Sequence, residues 1–97
     1  MNGQPLRRQV TIRNPQGLHV RPIAAFVGLA GQFQSRVAVF KEGRVEPVDG
    51  KSALNLMTLG AEQGTELILE VCGPDQLAAL EALVQLLAKW DKEEAQS

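Results

Sequence analysis

The stretch ELILEVC, Glu66 to Cys72, alternates polar and apolar side chains over most of its length. In an extended chain, period two puts Leu67, Leu69 and Val71 on one side and Glu66, Ile68, Glu70 and Cys72 on the other. A strand with one wet face belongs to an antiparallel sheet covered on one side, because parallel strands buried on both faces read as continuous apolar runs. Three weaker stretches follow the same rule. Arg8 to Arg13 sets Val10 and Ile12 on one face, and Arg36 to Phe40 does the same with Val37 and Val39. A tight turn at Glu42-Gly43 leads into a third strand over about Arg44 to Val48. Pro47 removes a ladder donor there, so that strand should lie at an edge or be irregular.

Between the strands the period changes. Ile23, Phe26, Val27 and Ala30 recur at three, four and seven, which predicts a helix from about Pro22 to Ala30 with Gly31 as its stop. Phe33, in the connection, plugs the core. Ser52 is a natural N-cap for a short helix from Ala53 to Leu59, ended by Gly60. Gly73-Pro74-Asp75 opens a last helix with Pro74 or Gln76 in its first turn. Its apolar stripe is Leu77, Leu80, Leu83, Val84, Leu87 and Trp90. Residues 1–7 and the charged tail Asp91 to Ser97 are expected to be loose. The order is β-α-β-β-α-β-α, an α+β domain of two layers, with three helices to cover one face of four strands.

Composition bounds the function. The 97 residues make one domain, and a net charge of −1 points to neither nucleic acid nor acidic lipid. No apolar run approaches a membrane span, and MNGQPLRRQ has no signal core, so a cytoplasmic protein without membrane insertion is expected. Cys72 is alone and cannot form an internal disulfide. One histidine and one cysteine argue against structural zinc, and neither metal nor cofactor is expected. Gly50-Lys51-Ser52 looks like the end of a phosphate-binding P-loop, but the glycine required five positions earlier is Val45.

The chemistry concentrates in NPQGLHVRP, Asn14 to Pro22, which holds the only histidine. Asn14, Pro15 and Gly17 are turn residues, and Pro22 suits the first turn of a helix. His19 therefore sits at or just before a helix N-terminus, where unpaired N–H groups and the positive dipole end favour an anion. An imidazole nitrogen is nucleophilic near neutral pH, and the Arg21 guanidinium matches phosphate oxygens as a fork. The plain alternatives are a histidine that caps the helix or fills a gap, and a solvated surface arginine.

GLHVRP at 17–22, KSALNLMTLG at 51–60 and AEQGTEL at 61–67 resemble the HPr family, the histidine-containing phosphocarriers of the bacterial phosphotransferase system. The resemblance covers about residues 8–90 of a single domain, 1–97. It implies an open-faced β-sandwich of four antiparallel strands with three helices on one face. It implies that His19 takes a phosphoryl group on Nδ1 from enzyme I, itself phosphorylated by phosphoenolpyruvate. The group then passes to a histidine on a downstream A component. Arg21 matches the motif arginine beside the phosphohistidine. Ser52 matches the serine that a dedicated kinase phosphorylates in some bacteria. Ala53 falls where partners dock; Leu54 and Met57 are core or docking surface, and their helical spacing alone favours core, although a short helix cannot bury every apolar residue. Ala53 replaces a bulkier apolar residue, and the segment Arg44 to Gly50 is slightly longer than the common form. Such a protein is a monomeric carrier with no independent turnover. Sugar-uptake and nitrogen-type branches both remain open, with MTLGAEQGTEL leaning toward the latter. The alternative is a regulatory module of the same fold controlled through Ser52. Relatives of that sort lack the motif histidine.

Overall fold

The computed structural model describes residues 3–95, which form four strands and three helices in the expected order. They are β1 (Leu6–Thr11), α1 (Val20–Ala30), β2 (Arg36–Lys41), β3 (Val48–Asp49), α2 (Ala53–Met57), β4 (Glu66–Cys72) and α3 (Gln76–Ala95). The strands make one antiparallel sheet ordered β1-β4-β2-β3. Strand β4 is central, pairing Leu69 with Arg8 on one side and Val39 on the other. Its alternation now has a cause. Leu67, Leu69 and Val71 are buried beneath the helices with Val37 and Val39, whereas Ile68 on the open face stays 38% exposed. Burying a large aliphatic side chain stabilises a fold by roughly 1.5–3 kcal/mol, so a register slip of one residue in β4 would forfeit several such terms at once. The open face is closed by polar pairs instead: Arg7 Nε donates to Glu70 at 2.6 Å, and Gln9 donates to Glu66.

Several boundaries differ from the sequence expectation. Strand β1 begins at Leu6, because Leu6 and Val10 pack against the core. Residues 3–7 are therefore not wholly loose. Gly3 and Gln4 are also held, their carbonyls accepting from Cys72 Sγ and Gln76 Nε2. The third strand shrinks to Val48–Asp49 at the sheet edge, since Pro47 cannot donate and Val45 is 93% exposed. Helix α2 stops at Met57, short of Leu59. Helix α3 begins at Gln76 and runs through Ala95, so the expected loose tail is largely helical backbone, in keeping with its helix-forming Lys, Glu and Ala residues. The last part of that expected tail, residues 96–97, and the first of the leading segment, residues 1–2, lie outside the described residues. Leu77 is 58% exposed and leaves the predicted stripe, and fully buried Ala79 takes its place. Helix α1 does end at Gly31, but with φ −65° the glycine is in the right-handed region and makes no left-handed cap.

The start of α3 is clasped to the α1–β2 loop. The Asp75 carboxylate accepts from Ser35 Oγ at 2.5 Å, Ser35 N–H at 3.0 Å and Gln34 N–H at 2.9 Å. These bonds, that from the Ser35 hydroxyl foremost, hold its pKa below the ordinary carboxylate value. A depressed folded pKa contributes stability that is complete above the unfolded value, about 3.9, and is lost as pH falls through the folded one. Asp75→Ala is therefore expected to melt at a lower temperature than the parent at pH 7. The gap should narrow as the two are compared below pH 4. Parallel melts over pH check this, and a gap independent of pH would remove the carboxylate from the account.

Candidate functional site

The turn before α1 is built from its own backbone outward. The Asn14 carbonyl accepts from Gly17 N–H at 2.9 Å, and its Oδ1 accepts from Gln16 N–H at 2.8 Å. This Asx-turn brings Gly17 to φ +73°. Gly17 lies against the segment that follows α2, and the next N–H, from Leu18, donates to the Ala61 carbonyl at 2.8 Å. The lacing continues from there. Gly64 N–H donates to Ile12 O at 2.7 Å, Ile12 N–H to Thr65 O at 2.8 Å, and Gln63 Nε2 to Arg13 O at 3.1 Å. The segment between α2 and β4 thus forms one wall of the turn.

His19 closes the turn and opens the helix. Its backbone is extended, φ −102° and ψ −169°, and its carbonyl accepts the first helical bond from Ile23 N–H at 3.0 Å. It is the N-cap residue by position, yet its side chain makes no capping bond. The plain reading of a ring spent on capping therefore fails. The residue is partly exposed. Helix α1 begins at Val20, two residues before the expected Pro22, and places Pro22 third. The N–H groups of Val20 and Arg21 have no acceptor within the helix, and Pro22 has no N–H to leave over. Two backbone donors and a helix dipole meet beside the imidazole, an arrangement suited to an anion.

Arg21 stands on the same first turn and is exposed. Its Cζ lies 5.1 Å from the centroid of the Trp90 ring on α3. Sequence reasoning placed Trp90 in an apolar stripe and missed this contact. Nothing in the local pattern signals it, because it arises only once α1 and α3 pack together.

Ser52 caps α2 as expected: its Oγ accepts from Asn55 N–H at 3.1 Å and Asn55 Nδ2 at 3.0 Å. The other end of the helix is held by cations. Lys41 Nζ donates to Leu59 O at 2.7 Å, and the Arg44 guanidinium reaches Thr58 O at 3.3 Å. The slightly long segment that starts at Arg44 thus contributes to this end. Leu56 and Leu59 are the buried residues of this region. Ala53, Leu54 and Met57 are exposed, Leu54 by 74% and Met57 by 51%, so a core role for them is ruled out. Val20, next to His19, is 64% exposed and was not singled out from the sequence. Helices α1 and α2 pack together, and the α2 exit is bonded to the His19 turn. Ser52 lies at the opposite end of α2, about 8 Å away along the axis at 1.5 Å per residue.

The family model described as PTS HPr component phosphorylation site matches residues 6–89. The chain belongs to the HPr family. Among its relatives, the phosphocarrier protein HPr of Cupriavidus necator is 43% identical over 83 residues, 86% of this chain and 91% of that one. The HPr of Pseudomonas putida is 44% identical over 82 residues, 82% of this chain and 88% of that one. Among solved structures, an HPr from Thermoanaerobacter tengcongensis is 36% identical, with a TM-score of 0.82 over 90% of this chain and 96% of that one. The open-faced sandwich expected from the sequence is thus the HPr fold, with β4 at its centre and the His19 turn at one end of the sheet.

Proposed function

We propose that this HPr-family chain carries a phosphoryl group on His19, accepting it from enzyme I and delivering it to a histidine of a downstream A component. The observation that carries the reading is the N-cap position of His19, whose ring makes no capping bond and stands at a donor-rich helix start beside Arg21. A ring nitrogen of His19 supplies the electron pair of a new P–N bond while the bond that joins phosphorus to enzyme I breaks and leaves its electron pair on the enzyme I group that carried it. The transferring group spreads charge over three oxygens, and catalysis is then mostly positioning and electrostatics. Backbone N–H groups at the start of α1 and the Arg21 guanidinium meet that charge. Their hold is moderate, since a phosphate bound too tightly would not move on. The protein has no turnover of its own and works as a cytoplasmic monomer. Among the described residues no helix is long and apolar enough to cross a membrane. Incubation with phosphoenolpyruvate and enzyme I, followed by mass spectrometry before and after mild acid, tests the assignment. A sugar-type and a nitrogen-type enzyme I run side by side separate the two branches.

Docking uses the exposed apolar residues Val20, Ala53, Leu54 and Met57, a small patch suited to transient partners. Ser52, at the edge of this patch, is the regulatory position where the cell has the serine kinase. Ser52→Asp keeps an N-cap oxygen for Asn55, so the melting temperature should barely move. The added carboxylate must be desolvated against the partner. A penalty of about 1–3 kcal/mol weakens enzyme I binding roughly five- to more than one-hundred-fold. Calorimetric titration beside a thermal melt separates docking from stability, and an unchanged affinity would leave Ser52 a helix cap alone.

A further inference from the structure

The one tryptophan of the chain has a place in this site that packing alone does not require. Trp90 is partly buried near the end of α3, and Arg21 sits over its ring with Cζ 5.1 Å from the centroid. Arg21 is otherwise an exposed residue on the first turn of α1. A long side chain in that setting samples many rotamers, and each must be frozen out before its guanidinium can meet a phosphoryl group. A cation over an aromatic face is held by its charge and the ring quadrupole, without directed hydrogen bonds. The five N–H donors of the guanidinium therefore keep their capacity for oxygen acceptors while the group is held.

We infer that Trp90 is a positioning residue for phosphoryl transfer: by holding the Arg21 guanidinium over its ring, it keeps that group poised at the start of α1 for the phosphoryl group on His19. The inference rests on the phosphocarrier reading of His19 and adds to it a residue of a different helix. The role assigned to Trp90 is exercised through Arg21, the residue held over its ring. The end of α3 is thereby tied to the chemistry at the start of α1.

The test has an arm that does not depend on phosphorylation. Trp90 is the only tryptophan and the chain has no tyrosine, so the emission reports the surroundings of this one ring. Arg21→Ala should shift or brighten that emission, and an unchanged spectrum would show that the contact does not exist in solution. The second arm measures transfer from phosphorylated enzyme I by stopped flow, well below the melting temperature of each variant. Trp90→Leu should slow transfer about two- to five-fold, the range expected of a cation–π contact at an exposed site. Trp90→Phe, which keeps a ring face, should restore most of the rate. In an Arg21→Ala background, Trp90→Leu should change the rate no further, because nothing remains to position. Equal losses for Leu and Phe, or additive losses in the double variant, would make Trp90 a packing residue and overturn the inference. If the parent protein accepts no phosphate at all, the reading of His19 fails instead, and the emission arm still decides the contact.

Discussion

His19→Ala takes up no acid-labile phosphate from phosphoenolpyruvate and enzyme I, whereas the parent protein gains one. The expected effect is all-or-none because no second histidine exists to take over. Serine and threonine hydroxyls would form esters that survive acid, so the acid step separates the two outcomes. The substitution should leave the fold in place. The His19 side chain makes no capping bond, and alanine keeps the backbone carbonyl that accepts from Ile23 and the N–H that donates to Gly17 O at 3.1 Å. Alanine is a poor N-cap, but only a side chain that caps is lost with its cap energy of about 1 kcal/mol. A near-parental melt with no label is thus the predicted pair of results. An acid-labile label on the alanine variant under identical conditions would falsify the assignment of His19. A variant that is unlabelled but unfolded calls for His19→Gln, which fills similar space and offers no nucleophilic ring.

How well each part could be read from the sequence follows from how local its cause is. Strand β4 came out with both boundaries right because its cause is period two, repeated within seven residues and reinforced by a strand on either side. The cap of α2 was readable for the same reason, since Ser52 and Asn55 are three residues apart. Prediction failed where distant segments decide. Strand β3 depends on what Pro47 and the exposed Val45 forfeit at a sheet edge, and only Val48 and Asp49 find partners on β2. Leu77 has the right spacing for the α3 stripe, but fully buried Ala79 takes the place assigned to it. The candidate site residues His19 and Arg21 both stand within a six-residue motif. What the motif cannot contain is the Ala61 carbonyl behind Gly17 and the Trp90 ring beside Arg21, both brought there from far along the chain.

The Ala61 carbonyl sets up the second large effect, in Gly17→Ala. Two separate costs fall on this substitution. A non-glycine residue at φ +73° costs about 1–2 kcal/mol, because its Cβ crowds the following carbonyl. The new Cβ would also stand 2.5 Å from Ala61 O and 3.0 Å from Glu62 Cα, both backbone atoms that cannot rotate away. The turn must then separate from the segment after α2, which endangers the Leu18 N–H bond to Ala61 O. Each such bond adds about 1 kcal/mol. The total is about 2–4 kcal/mol, or a fall in melting temperature of roughly 10–30 °C for a domain this small. Phosphoryl transfer by the surviving folded fraction should slow as well, since moving the turn moves His19, and misplacement by about 1 Å can cost 100-fold. Gly43→Ala is the control that divides the two costs. Gly43 also has a positive φ, +85°, but its Cβ would meet nothing within 4 Å. It should therefore lose only the backbone term of about 1–2 kcal/mol and keep the parental transfer rate. Thermal melts and single-turnover transfer on both variants make the comparison. Equal destabilisation of the two, with parental transfer in each, would mean that the close approach of Gly17 to Ala61 is not what holds His19 in place.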